Sequence, residues 1–90
     1  MKIKVRYLSR EIARSFGSSG KSDTVDFPSS AKYRDILTRF SEKLRKRGVT
    51  DERPMDALVF ICNGRSLLNI ENETIDANCE VIIGYADTGG

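Results

Sequence analysis

Ninety residues make one domain with a thin core, because a chain this short buries only somewhat more than about 60% of its unfolded surface. Fifteen basic residues against thirteen acidic leave a net charge of +2, too balanced for composition alone to indicate a nucleic-acid binder. The lack of histidine removes His-dependent acid–base catalysis, Cys–His nucleophile pairs and His-containing metal sites.

The opening "KIKVRYL" alternates, with Ile3, Val5 and Tyr7 on one face and Lys2, Lys4 and Arg6 on the other, which is the period of a half-buried strand. The first residues lack the uninterrupted apolar stretch of a signal peptide, and no apolar run approaches the ~20 residues of a membrane span, so no membrane partner and a cytoplasmic setting are expected. In "SREIARSFGSSG", Ile12, Ala13 and Phe16 recur at helical spacing and predict one or two helical turns before a Gly/Ser loop. "SDTVDF" predicts a second strand, stopped by Pro28.

"SSAKYRDILTRFSEKLRKRG" carries the clearest helical pattern. Ser29 or Ser30 is the expected N-cap, and Tyr33, Ile36, Leu37, Phe40 and Leu44 form one apolar stripe. Asp35–Arg39 and Glu42–Lys46 are spaced as i,i+4 ion pairs, and basic residues crowd a last turn followed by Gly48. The basic run "KLRKRG" fits a solvated helix end better than a nucleic-acid contact. After the polar "VTDERPMD", the stretch "ALVFICNGRSLL" predicts a hairpin, since both residues of an Asn63-Gly64 turn need positive φ. Ile70 and Ile75 are expected inward anchors of a second polar connection, and "CEVIIGYA" is the last predicted strand. Cys62 and Cys79 form no C-x-x-C and no zinc spacing, so they are expected to be small buried hydrophobes, reduced in a cytosolic setting.

One long amphipathic helix inserted among five strands predicts an α+β domain of two layers, with the first and last strands parallel at the centre of a mixed five-stranded sheet. That order, together with Gly89-Gly90 directly after the last strand, resembles the ubiquitin-like β-grasp family and within it the sulfur carriers and modifiers. Residues 1–86 would form the β-grasp domain and 87–90 a flexible Gly-Gly tail. Arg10-Glu11 before an apolar helical turn is similar to the small subunit of molybdopterin synthase. The long helix and the "RKRGVTDERPM" connection resemble the ubiquitin-related modifier of tRNA thiolation. The chain departs from the synthase pattern at "YADT", where a proline pair is usual, and at "IDANCE", where an Asp-Gly-Asp turn is common. The branch stays open.

The resemblance implies a carrier and not an enzyme. A separate ATP-dependent activating enzyme would adenylate the carboxylate of Gly90, which is inert until activated. A sulfur donor would then convert it to a thiocarboxylate, or a target lysine would take the acyl group in an isopeptide bond. The implied partners are that activating enzyme and sulfur donor, with target-protein lysines, a tRNA-thiolation enzyme or the large subunit of molybdopterin synthase as the final acceptor. No bound cofactor is implied, ATP being used by the activating enzyme, and direct nucleic-acid binding is not expected. Gly89 and Gly90 suit this chemistry because a Cβ would obstruct a narrow channel, and residues 87–90 can extend about 13–14 Å. If Leu58, Phe60 and Cys62 face the helix and Val81 and Ile83 point inward, then Val59, Ile61 and Ile82 face away. With Lys4 and Arg6 at the rim, they are expected to be either a partner-binding patch or ordinary scattered surface aliphatics, and a one-residue slip would reverse the faces. The reading of another class is a small nucleic-acid-binding or adaptor domain.

Overall fold

Alternation in the opening segment becomes the strand β1 (Lys2–Tyr7), whose odd-numbered side chains are buried and whose even-numbered ones are exposed. The computed structural model describes residues 1–46 and 57–86. After β1 come the short helix α1 (Arg10–Ser15), the strand β2 (Ser22–Asp26) and the long helix α2 (Tyr33–Lys46). They are followed by β3 (Leu58–Cys62), β4 (Arg65–Ser66), a 3₁₀ turn (Leu67–Asn69) and β5 (Glu80–Tyr85). The five strands lie in the order β2-β1-β5-β3-β4. β1 and β5 run parallel at the centre, with Val5 opposite Val81 and Tyr7 opposite Ile83, and the other pairs are antiparallel. This is the expected ubiquitin-like β-grasp, an α+β sheet with helices over one face.

The core lies between that face and α2. Ile3, Val5, Tyr7, Phe60, Val81 and Ile83 point inward and meet Tyr33, Ile36, Phe40 and Leu44 of α2, while Leu37 is half-buried beside them. Phe40 is at its centre, its ring edge-on to Phe16 at 5.0 Å between centroids and tilted against Phe60 at 5.8 Å. Such pairs add roughly 0.5–1.5 kcal/mol to the burial itself. Tyr7 shares this core, and its hydroxyl donates to Asp23 Oδ2 at 2.8 Å. Burial first, then that bond and the Asp23 charge, push the phenol well above its ordinary pKa and keep it a neutral donor.

Several local expectations are corrected. α2 begins at Tyr33 and not at Ser29 or Ser30, which fall in a turn closed by the Ala31 amide donating to Pro28 O. The acceptor at the helix entry is the Asp35 carboxylate, which takes the Lys32 amide at 2.8 Å. Asp35 is therefore engaged away from Arg39, whose guanidinium lies 4.5 Å from the Phe27 ring centroid. Neither i,i+4 ion pair forms, and among the described residues the one salt bridge is Arg65–Glu73. The hairpin turn is as expected, with φ of 53° at Asn63 and 78° at Gly64. Its second strand has only two residues, because Ser66 Oγ accepts from Leu68 N and turns the chain into the 3₁₀ segment. Ile70 and Ile75 are buried anchors as expected. Gly48, "VTDERPMD" and the 87–90 tail lie outside the described residues.

The cysteines are the largest correction. Cys62 and Cys79 are buried, but they are joined in a disulfide. Cys62 pairs with Val81 across the β3–β5 ladder, so Cys79 is its diagonal neighbour on the inner face, with the Cα atoms 5.9 Å apart. The bond clips the β4–β5 connection to the sheet. A sequence separation of 17 corresponds to about 3 kcal/mol of loop-closure stabilisation. Denaturant unfolding with and without a thiol reductant should differ by roughly that amount, and equal midpoints would show that the clip does not contribute. Phe40→Ala should cost about 3–5 kcal/mol by removing the centre of the aromatic cluster. Cooperative unfolding near the wild-type midpoint would contradict that placement.

Candidate functional site

Inward parity on one face of the sheet dictates what the other face carries. Phe60 and Cys62 point to the core, so Val59 and Ile61 point away, and Val81 and Ile83 likewise leave Ile82 outward. Cross-strand register assembles these residues. Arg6 stands opposite Ile82, Ile82 opposite Ile61, and Ile61 opposite Ser66, in one row across four strands. The neighbouring row pairs Val59 with Gly84, and the row on the other side pairs Lys4 with Glu80. Val59, Ile61 and Ile82 are each half-buried, with Lys4 and Arg6 exposed on the β1 side. The five expected patch residues therefore share one face in adjoining rows.

Leu8 belongs with them and was not among them. It continues the outward phase of Lys4 and Arg6, its amide extends the parallel ladder by donating to Ile83 O at 2.9 Å, and it is 58% exposed. A Cβ built on Gly84 would come within 2.8 Å of Leu8 Cδ1, so the leucine lies across the glycine and closes the patch on the side where β5 ends. The signal was present in the alternation of "KVRYL", where Leu8 shares the parity of Arg6. Val59 also borders a cavity of about 460 Å³ between α2 and the β3–β4 hairpin, shared with Leu37, Leu58 and Leu68.

The exit of β5 is tied on both flanks. Ala86 N donates to Ala57 O at 2.8 Å, and the Tyr85 hydroxyl donates to Glu11 Oε2 at 3.1 Å across to α1. Chain leaving this point starts beside the Leu8–Gly84 contact. Gly89 and Gly90 follow within four and five residues of Tyr85 in sequence and lie outside the described residues. Among those that are described, no group of three or more His, Cys, Asp or Glu is arranged to hold a metal, and no helix is long and apolar enough to cross a membrane. The site presents an apolar surface with a cationic edge next to the hydrogen bonds at the end of the central strand β5.

No protein-family profile and no curated protein sequence matches the chain. Solved structures do share its fold. SAMP1 from Haloferax volcanii is 20% identical over the whole of both chains with a TM-score of 0.65. A second structure, of H. volcanii small archaeal modifier protein 1, is 17% identical over 92% of this chain and 94% of that one, with a TM-score of 0.62. The Pyrococcus furiosus protein described as molybdopterin converting factor subunit 1 is 19% identical over 94% of each chain, with a TM-score of 0.61. At these identities the likeness is one of fold.

The outward parity of β5 can be checked directly by substituting neighbours. Ile82→Asp should leave the domain folded, since its carboxylate reaches solvent beside Arg6. Ile83→Asp should abolish cooperative unfolding, because it places a charge in a fully buried position without a partner. The reverse outcome in circular-dichroism melts would place the patch on the wrong face.

Proposed function

We propose that this chain is a ubiquitin-like carrier or modifier, not itself a catalyst, whose working group is the carboxylate of Gly90. The reading is supported by the conjunction of a β-grasp fold, an apolar outer face beside the end of β5, and two glycines four and five residues beyond that strand. A carboxylate with a reference pKa near 3.5 is ionised at neutral pH and is a poor electrophile. Activation by a partner enzyme is required. One carboxylate oxygen attacks the α-phosphorus of ATP, pyrophosphate leaves, and an acyl adenylate forms. Hydrosulfide that displaces AMP yields a thiocarboxylate, whereas a persulfide donor would first give an acyl disulfide that a thiol reductant must cleave. A lysine amine that displaces AMP yields an isopeptide bond.

In this division of labour the domain has two tasks. The Leu8–Val59–Ile61–Ile82 surface, edged by Lys4 and Arg6, docks the activating enzyme, because burying apolar area contributes about 25 cal/mol per Å² and the cations orient the approach. The tail carries the reacting carbon into the partner's site, and glycine at both last positions keeps it narrow. Under this reading the thiocarboxylate serves tRNA thiolation, or the acyl group joins protein lysines in isopeptide bonds. A second reading, the small subunit of molybdopterin synthase, is favoured by α1. This helix stands between β1 and β2 with Arg10-Glu11 at its start, and the P. furiosus neighbour bears the matching description.

Removing Gly90 should abolish ATP–pyrophosphate exchange by the cognate activating enzyme while leaving the melting temperature near wild type. A misplacement near 1 Å at the reacting carbon can cost about a hundredfold in rate. Gly89→Val should impair exchange by steric exclusion, and Ile82→Asp should weaken docking with the tail intact. Intact mass of protein taken from its own host separates the outcomes. One terminal oxygen replaced by sulfur marks the carrier, and isopeptide remnants on other proteins mark the modifier. Undiminished exchange by a chain lacking both glycines would end the proposal.

A further inference from the structure

A cavity of one sign of charge lies beside α1, apart from the apolar face. Arg10 and Arg14 are four residues apart and occupy one side of this helix. The helix is closed by Gly17, with φ of 77°, whose amide donates to Arg14 O at 2.9 Å while Ser18 N donates to Ala13 O at 2.9 Å. That reversal carries the chain back past the helix, and Lys21 is then pinned to the sheet because its carbonyl accepts from Tyr7 N at 2.7 Å. The result is a cavity of about 540 Å³ that Arg10, Arg14, Lys21, Ser18 and Ser19 line together.

No carboxylate lines this cavity, and among the described residues none of its three cations forms an ion pair. Glu11, the acid on the same helix, instead accepts from the Tyr85 hydroxyl. Three cations around one space repel each other, and an anion bridging them removes that repulsion. Two guanidiniums, an ammonium and the Ser19 hydroxyl suit the oxygens of a tetrahedral oxyanion, which arginine binds through paired N–H groups. The Ser18 hydroxyl donates to Gly20 O at 3.0 Å and fixes the loop. Ala13 is the one apolar residue of the lining, and no aromatic ring is present for a base to stack on.

We propose that the cavity between α1 and the 17–21 loop binds a phosphate-bearing small molecule through its phosphate groups, a diphosphate or phosphosugar and not a nucleobase. The site is independent of the carrier reading. It lies at the same end of the sheet as the last residues of β5, because Lys21 bonds Tyr7 and Tyr85 bonds Glu11. A ligand there is held next to the strand from which residues 87–90 depart.

Titration of the full chain with inorganic pyrophosphate, read from the backbone amide resonances of Ser18, Ser19, Gly20 and Lys21, is the test. A saturable shift is expected, with ATP competing through its phosphates and adenosine silent. Arg10→Gln with Arg14→Gln should weaken binding at least about tenfold. Lys21→Gln, outside the helix, should weaken it as well, so the result does not hang on the integrity of α1. Lys2→Gln with Lys32→Gln removes two cations elsewhere and should leave binding unchanged. An unsaturable titration would overturn the proposal, as would equal weakening in the control. So would binding of single-stranded RNA that pyrophosphate cannot displace, which would make the cations part of an RNA track.

Discussion

Parallel pairing of β1 with β5 is the constraint on which the rest of the molecule depends. Val5 meets Val81 across 76 positions of sequence, and the intervening chain must cross over the sheet for the two strands to run the same way. α2 provides that crossover, and its apolar stripe covers the inner face that the pairing creates. The aromatic cluster of Phe16, Phe40 and Phe60 then forms where α1, α2 and β3 converge over the central strands. If β5 slipped by one residue, Val81 and Ile83 would turn to solvent and Ile82 to the core, and both layers would lose their complementarity.

The same register creates the apolar outer face. Ile82 is central to the outer rows because Val81 and Ile83 are central to the core. Over Gly84 lies the tip of the exposed Leu8 side chain. The domain therefore carries its apolar outer face next to the end of β5. Ala86–Ala57 and Tyr85–Glu11 tie the end of β5 on both flanks.

The disulfide and the hairpin connection show how local chemistry is subordinated to this frame. The long passage from Arg65 to Asn78 has little regular structure, and it is held by buried anchors at Leu67, Ile70 and Ile75 and by the Tyr33 hydroxyl, which accepts from Asp76 N at 3.1 Å. Tyr33 Oη also stands 3.7 Å from Cys62 Sγ, so one α2 side chain touches both the loop and the clip that closes it. The exposed Arg65–Glu73 pair adds little to this, since ion pairs in water contribute about 0–1 kcal/mol.

Much of this was legible from the amino-acid order because it rests on periodicity. Alternation in "KIKVRY" and "EVIIGY" set which side chains face inward, and i, i+3, i+4 spacing set the stripe of α2. Asn63-Gly64 marked the turn by its demand for positive φ, and the patch of Val59, Ile61 and Ile82 followed from the same parity. Local spacing could not supply what depends on partners distant in the chain. Cys79 shares the inward parity of Val81, yet only the β3–β5 register brings it beside Cys62. Asp35 was spaced to pair with Arg39, yet the backbone amide of Lys32 and the ring of Phe27 took the two groups apart. Lys21 belongs to a different segment from Arg10 and Arg14 of α1, and they share a cavity only because Gly17 reverses the chain and Tyr7 pins its return. Sequence determined the faces of each element, since a side chain's direction follows from the backbone period alone. Tertiary structure decided which faces, sulfurs and charges meet, because that depends on the register between strands far apart in sequence.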